Sequence, residues 1–519
     1  MIIHLASEVT PFYKRGGLGD VLGTLPNYLS NEYPNIVISF YYKNRMIGLL
    51  NSEVKEKFKI EIQGVDYEFE YYHQSNEDVN YYFINMSDSL LFSDMESRES
   101  DSSNNDDDDG EKAYKENFPY IIYFYFAKAA IQLIENLELS PEFILFHDWH
   151  VCGCLAFPER IKNFNANSDC ISIVLIHNYE FQGDILPDLL HHLDEDILIE
   201  LLPIYKQYGI ATFFALAFKN SDYVATVSET YAEELIQGIL PHIGLKFLDL
   251  IKKKKIYALP NGIDNILWSP KSSPFIKNLY DIDSYKTLKL KAKQELNSEL
   301  QFYDDGKPIV LLMARLTEQK GINILIDLWN SEKEAMKQIE NLLNVGIKLM
   351  IYGRPSGGVT GIIHKRLMLA KEMFPDRFNY ISHYTEEKAH KLLAASDIIL
   401  CPSLFEPCGL VQMYALAFGT VPLVRSVGGL KDTIIPYQLN PEQSTGFYID
   451  EFSHENLKKT IQEAVFVYQN KKIDWNGIIE RGMAKDYSWK SLIQHYYSFF
   501  ETIRQDSKKN KKVIENEIA

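Results

Sequence analysis

The sequence predicts two doubly wound α/β units, each organised on a parallel sheet. Short apolar runs alternate with amphipathic stretches almost throughout, the rhythm of strands joined by helical crossovers. A run of four lysines at 252–255 interrupts that rhythm, which then restarts. The 519 residues exceed what one hydrophobic core usually supports, and a hydrophobic fraction of 46% is ample for two.

In the first unit, residues 2–6, 36–42, 143–147, 171–177 and 223–227 read as buried strands, each followed by a loop or a helical pattern. The second unit repeats the arrangement with 256–259, 308–314, 348–352, 397–402 and 421–424. The boundary is expected at 250–256, giving domains of 1–250 and 251–488. Residues 489–505 carry aromatic and apolar side chains on one helical face and should dock. Residues 506–519, rich in Lys and Glu, read as a flexible tail, and the acidic low-complexity stretch at 96–111 reads as a mobile surface loop.

A net charge of −18 disfavours nucleic acid and anionic membrane surfaces as partners, although a few local cations can still hold a small anion. The five cysteines (Cys152, Cys154, Cys170, Cys401 and Cys408) include no C-x-x-C pair, so neither a disulfide framework nor a zinc site is expected. No apolar run reaches the roughly 18–20 residues of a membrane span. The N-terminus starts a strand at once, with no basic region leading an apolar one and no transit peptide. A soluble, cytoplasmic protein is the expectation, with a plastid location as the alternative.

Chemistry-bearing residues cluster at strand ends. Lys14-Arg15-Gly16-Gly17-Leu18-Gly19-Asp20 lies between the first strand and the helical pattern at 21–29. A glycine-rich turn there lets backbone amides approach an anion at a helix N-terminus, with Lys14 adding charge. A tight turn that uses glycine for packing is the other reading. Glu406-Pro407-Cys408-Gly409-Leu410-Val411-Gln412 follows the 397–402 strand, and Pro407 and Gly409 delay the next helix, leaving amides open to a phosphate. Arg315 and Lys320, past the 308–314 strand, can converge on a diphosphate or simply be a solvated pair. In the first unit, His147-Asp148-Trp149-His150 and His177-Asn178-Tyr179-Glu180-Phe181-Gln182-Gly183 close two strands. Trp149 and Tyr179 beside polar groups suggest a platform for a pyranose ring. The H-x-x-H spacing lacks the glutamate and one-turn separation of a zincin, so no metal is expected there.

The ordered set K-x-G-G-L-G-D, H-D-W-H, I-H-N-x-x-x-Q-G, A-T-V-S-x-T-Y-A-x-E, N-G-I-D-x-x-x-W-x-P, R-L-T-x-Q-K-G, E-P-C-G-L and G-T-V-P-L-V-R-x-x-G-G-L-x-D-T resembles the bacterial glycogen synthases and plant starch synthases, from Lys14 to Thr433 in the family's order. The resemblance implies a GT-B fold of two Rossmann-like domains facing a cleft, with no metal and no cofactor. It implies a retaining glucosyltransferase that lengthens an α-1,4-glucan (glycogen or starch) from ADP-glucose or UDP-glucose, ADP-glucose being favoured.

By motif, Lys14, Gly16, Gly17 and Gly19 would meet the nucleotide diphosphate, and Arg315 and Lys320 would neutralise it as it leaves. Tyr384 would stack on the base, with Cys408, Gly409, Leu410 and Val411 lining the donor site and Glu406 holding sugar hydroxyls. Asp148, His177, Trp149, Asn178, Gln182 and Asn261 would surround the transferred glucose and the glucan. The helix at 489–505 would cross back to the first domain. With no paired carboxylate nucleophile evident, a front-face displacement is expected.

The chain departs from the family pattern at Val411, where Thr or Asn is usual, and at 353–356, which replaces a Gly-x-Gly-Asp turn. Tyr414 stands where many other retaining transferases carry a second glutamate, as it does in this family. The alternatives are a related sucrose-forming or cell-envelope transferase and a non-catalytic glucan-binding homologue. The E-P-C-G-L motif with Tyr414 speaks against the first, and the presence of Lys14, His177, Arg315, Lys320 and Glu406 against the second.

Overall fold

The structure, a computed structural model, describes residues 1–42, 46, 55–76, 78–86, 120–165, 169–240, 247–303, 305–356 and 358–518, with side chains as far as 509. The acidic stretch at 96–111 lies outside these residues. The chain divides into two compact units: the first takes the described residues up to Gly262 together with the chain from Trp489 onward, and the second spans Ile263–Ser488.

The first unit is built on β1 (Ile2–Ala6), β2 (Asn35–Phe40), β3 (Glu56–Ile62), β4 (Val65–Ser75), β5 (Val79–Met86), β6 (Phe143–His147), β7 (Ile171–Ile176), β10 (Tyr223–Thr226) and β11 (Ile256–Ala258), with β8 (Asp184–Ile185) and β9 (Ala211–Thr212) forming a separate short ribbon. The large sheet runs β11-β10-β7-β6-β1-β2-β5-β4-β3. Seven of these strands are mutually parallel, as the continuous apolar runs require. β3 and β4 are antiparallel additions on the far edge. They escaped the reading for parallel strands because β3 alternates charge with Phe58, Ile60 and Ile62, burying one face alone.

The second unit is wholly parallel: β12 (Ile309–Met313), β13 (Lys348–Tyr352), β14 (Phe378–Ile381), β15 (Ile398–Cys401), β16 (Val421–Arg425) and β17 (Phe447–Ile449) lie in the order β14-β13-β12-β15-β16-β17. β14 and β17, of four and three residues, lie outside the strands read from the sequence. Both sheets wind outward in opposite directions from a reversal point, between β1 and β6 in one and between β12 and β15 in the other. Open α/β sheets bind ligands beyond the carboxyl ends of strands at such a point.

The boundary expected at 250–256 is displaced to Gly262/Ile263. The reason is β11, which does not begin the second sheet but pairs parallel with β10, Val224 opposite Ile256. At the true boundary the chain passes itself: Ile263 N donates to Tyr487 O at 2.9 Å. A Cβ on Gly262 would lie only 2.6 Å from the Trp489 nitrogen, so no larger residue fits there. The last helix, Trp489–Ile518, belongs to the first unit, where Trp489, Tyr496, Phe500 and Ile503 are buried. Phe500 stacks on Phe143 of β6 at 4.7 Å, and Arg504 pairs with Glu142. Residues 506–518, expected as a flexible tail, continue this helix.

In the second unit, a buried ion pair ties a helix to the sheet. Lys293 Nζ lies 2.8 Å from Asp397 Oδ2, and that oxygen also accepts from Ile309 N, the first residue of β12, at 2.8 Å. Removing one partner of a buried pair leaves the other charge uncompensated. Asp397→Ala should therefore destabilise the protein by about 3–5 kcal/mol, seen as a lower midpoint of chemical denaturation.

Candidate active site

In the first unit, the site residues sit in the loops that leave β1, β6 and β7, with Asn261 beyond β11. Helix Gly17–Leu29 turns Leu18, Val21, Leu22, Leu25 and Leu29 to the core, a spacing of three and four that fixes its N-terminus beside the end of β1. Gly16 is the N-cap. The amides expected to receive an anion are in part already used: Arg15 N and Gly16 N both donate to the carboxylate of Glu8, the second at 2.8 Å. Burial raises the Glu8 carboxyl above its ordinary value, with those two amides opposing. A Cβ on Gly19 would lie 3.2 Å from both Glu8 Oε2 and Lys14 Cγ, so a larger residue there would have to push these side chains aside. Lys14 in turn pairs with Asp20 at 2.6 Å. Glu8 was missed in the sequence, although its place two residues past a buried strand was the available signal.

Asp148, the first residue after β6, adopts φ 62 and ψ 177, a backbone region that costs non-glycine residues about 1–3 kcal/mol. The conformation lets its Oδ1 accept from His177 N at 2.7 Å and Asn178 N at 3.1 Å, holding the loop beyond β7. Burial pushes the Asp148 carboxyl up to about 7; the two amides favour its charged form and the Glu8 carboxylate opposes it. Asn178 Oδ1 accepts from Glu180 N at 3.0 Å, a local turn that shapes the same loop. Gln182 is half-buried at its far end, where its carbonyl accepts from Phe214 N. Asn261 is buried, and its Oδ1 has no hydrogen-bond partner among the described residues. A buried orphan acceptor is costly unless something else satisfies it.

The expected sugar platform is corrected. Trp149 is 3% exposed, with His150 stacked on it at 4.0 Å and Tyr123 and Phe213 at 4.9 and 5.9 Å. A Cβ on Gly183 would come within 2.4 Å of its ring. Tyr179 is likewise enclosed by Phe214 and Phe218. Both rings are core residues that support the loops, because their faces are already covered.

In the second unit, the loops after β12 and β15 lean on each other. Leu404 N donates to Gln319 O at 2.8 Å, and Gly321, at φ +76, has Pro402 O where a Cβ would stand, 2.2 Å away. This contact brings Lys320 Nζ within 2.6 Å of Glu406 Oε2, which also accepts from Ser403 Oγ at 3.0 Å. Glu406 is 7% exposed. Arg315 is exposed, and its side chain makes no hydrogen bond or ion pair with a described residue, while its backbone carbonyl accepts from Thr317 N at 3.0 Å. Its loop runs alongside 353–356, with Leu316 N donating to Arg354 O at 2.8 Å. Gly429 N donates to Glu406 O at 3.0 Å and rests against Cys408, where a Cβ would lie 2.1 Å from the carbonyl.

The helix Val411–Ala417 starts where Pro407 and Gly409 allow, and the amides of Gly409, Leu410 and Val411 donate to no acceptor among the described residues. Cys408, Leu410 and Val411 are partly buried against the core. Tyr384 is 48% exposed and stacks on Tyr352 at 5.5 Å; the Tyr352 hydroxyl donates to Thr385 O and accepts from Thr385 N. Arg315, Lys320, Glu406 and Gly409 thus gather at the reversal point of the second sheet, as Glu8, Lys14, Asp148 and His177 do at that of the first.

Residues 1–247 match the family described as starch synthase catalytic domain, and residues 293–467 match glycosyl transferases group 1. A glycogen synthase of Lachnoclostridium phytofermentans is 30% identical across 97% of this chain and 99% of its own. One of Streptococcus mutans is also 30% identical, with the same coverage. The catalytic domain of starch synthase IV from Arabidopsis thaliana, solved with ADP and acarbose, superposes with a TM-score of 0.80 at 23% identity, covering 96% of this chain and 98% of that one. A sucrose-phosphate synthase of Thermosynechococcus elongatus shares the fold less closely, with a TM-score of 0.53 at 15% identity over 97% and 99%. With its two doubly wound units and its motifs at the ends of their strands, the chain belongs to the glycogen synthase and starch synthase family, glucosyltransferases of the GT-B fold.

Proposed function

We propose that this glucosyltransferase uses ADP-glucose and extends the non-reducing 4-hydroxyl of an α-1,4-glucan, with retention of configuration. The observation that most supports the reading is the group at the reversal point of the second sheet: a buried Glu406 held by Lys320 and Ser403, with Arg315 on the loop that also carries Lys320 and its guanidinium in no hydrogen bond or ion pair with a described residue. ADP in the Arabidopsis structure supports the adenosine nucleotide. The exposed ring of Tyr384 offers a stacking surface for a base.

In the proposed reaction the acceptor O4 attacks C1 as the bond from C1 to the phosphate oxygen breaks on the same face. A phosphate oxygen takes the proton from O4, and the nucleoside diphosphate leaves. Positive charge develops on the sugar and negative charge on the diphosphate. Arg315, Lys320, Lys14 and the amides of Gly409, Leu410 and Val411 stabilise the second charge. Glu406 binds sugar hydroxyls, and His177, Asp148, Asn178 and Asn261 hold the transferred glucose and the acceptor. The orphan Oδ1 of Asn261 supports that role, since a sugar hydroxyl would satisfy it. The proposal assigns no metal and no resident cofactor. Among the described residues no helix is long and apolar enough to cross a membrane, and a cytoplasmic site of action fits the reading.

Incubating the purified chain with a glycogen primer and either donor tests the substrate assignment. ADP-glucose should be turned over faster; preference for UDP-glucose would reassign the donor, and no incorporation from either would overturn the activity. Glu406→Gln and Arg315→Ala should each lower kcat about 10²–10³-fold, roughly 2.7–4 kcal/mol of activation energy, while circular dichroism and the melting temperature stay near wild type. At Val411 a hydroxyl would add a donor to the phosphate, so Val411→Thr should lower the KM for the nucleotide sugar, read from initial rates at saturating glycogen.

A further inference from the structure

Four polar side chains form one hydrogen-bonded file across the buried interior of the first unit. Asn35 opens β2, His4 lies within β1, His147 ends β6 and His177 follows β7. His4 Nε2 is 2.8 Å from Asn35 Oδ1, His4 Nδ1 is 3.0 Å from His147 Nε2, and His147 Nδ1 is 3.0 Å from His177 Nε2. The three rings are nearly parallel in sequence, with centroids 5.3 Å apart at each step.

The register of the sheet explains the file. β2, β1, β6 and β7 are consecutive neighbours, all parallel. Asn35 stands opposite Ile2, two residues before His4; His4 stands opposite Leu145, two before His147; His147 stands opposite Leu175, two before His177. Each step therefore advances one strand sideways and two residues forward. Side chains alternate faces with a period of two, so all four project from the same face. The file climbs from the floor of the sheet to its carboxyl edge: Asn35, His4 and His147 are buried, and His177 is only half-buried.

Its polarity is set at the buried end. Asn35 Nδ2 donates to Tyr33 O at 2.6 Å, which orients the amide so that Oδ1 faces His4. A carbonyl oxygen only accepts, so His4 Nε2 carries the proton. His4 Nδ1 then accepts from His147 Nε2–H, and His147 Nδ1 accepts from His177 Nε2–H. Burial lowers His4 to about 4 and His177 to about 3, and holds His147 well below its ordinary value, so each ring carries a single N–H near neutrality. His177 Nδ1 is left with a lone pair and has no partner among the described residues.

We propose that Asn35, His4 and His147 are positioning residues that lock His177 in its Nε2–H tautomer, so that His177 Nδ1 meets the substrate only as a hydrogen-bond acceptor. This rests on the assignment of His177 to the transferred glucose. A reversed ring would present an N–H in the same place, and a sugar hydroxyl aimed there could donate to nothing. The relay selects a donating hydroxyl and holds the ring plane without a charged group. A neutral orienting chain suits a site where positive charge develops on the sugar, since a protonated imidazole there would repel it.

Nitrogen-15 NMR of the full-length chain with labelled histidine, assigned through His4→Gln, His147→Gln and His177→Gln, reads the tautomers directly and needs no functional variant. At neutral pH all three rings should be Nε2–H; an Nδ1–H form at any of them overturns the relay. Asn35→Leu removes the acceptor that sets polarity. It should give a mixed tautomer at His177 and lower kcat about 10–100-fold, the range seen when a buried orienting partner of a ligand histidine is lost, with donor KM little changed. An unchanged kcat in Asn35→Leu, or a loss of kcat with His177 still wholly Nε2–H, overturns the positioning role. If His177→Ala keeps wild-type turnover, the assignment of His177 to the substrate fails and takes the functional half of the proposal with it; the tautomers are judged apart from that result.

Discussion

A doubly wound sheet has one place where neighbouring crossovers depart to opposite faces, and the loops beyond the two strands at that place cannot be covered by their own helices. The chain meets that constraint twice. Between β1 and β6 it exposes the loop holding Glu8 and Lys14 beside Asp148; between β12 and β15 it exposes Arg315 and Lys320 beside Glu406. The close contacts at Gly321 and Gly429 seat the second-unit loops against one another. The loops that carry these side chains are therefore placed by backbone packing.

Both groups satisfy themselves internally in the same manner. A carboxylate answers each cluster of positive or donating groups: Glu8 for the amides of Arg15 and Gly16, Asp20 for Lys14, Glu406 for Lys320. These local pairs hold cations at the strand ends of a chain whose net charge is −18. Arg315 is the exception among these groups, and its planar fork is well matched to phosphate oxygens.

Most of the parallel strands, and the site motifs, were legible in the sequence because both obey local rules. Buried parallel strands are continuous apolar runs, and the candidate site residues Asp148, His177, Arg315 and Glu406 follow them within a few positions. What was not legible depended on partners remote in the chain. Ile256–Ala258 looks like any other strand, and only its pairing with β10 assigns it to the first unit. Trp149 and Tyr179 sit beside polar residues in sequence, yet Phe213, Phe214 and Phe218 cover them in space. The histidine file was invisible for the same reason: His4, His147 and His177 are brought together by sheet register and not by proximity along the chain.

The passage of the chain at Gly262 and Trp489 makes the second unit an insertion within the first. The apolar cluster of Trp489, Tyr496, Phe500 and Ile503 completes the first unit's core but is translated after the entire second unit. Domains commonly fold as they emerge from the ribosome, N-terminal first. Here the order is inverted at the end: the inserted unit is complete in sequence while its host still lacks a side, and Phe143 awaits its partner Phe500. Bringing the two ends together costs only a logarithmic increase in loop entropy once the insertion is compact. The host's apolar flank is thus exposed to other chains for most of the period of synthesis, a burden on the nascent protein that the finished fold conceals.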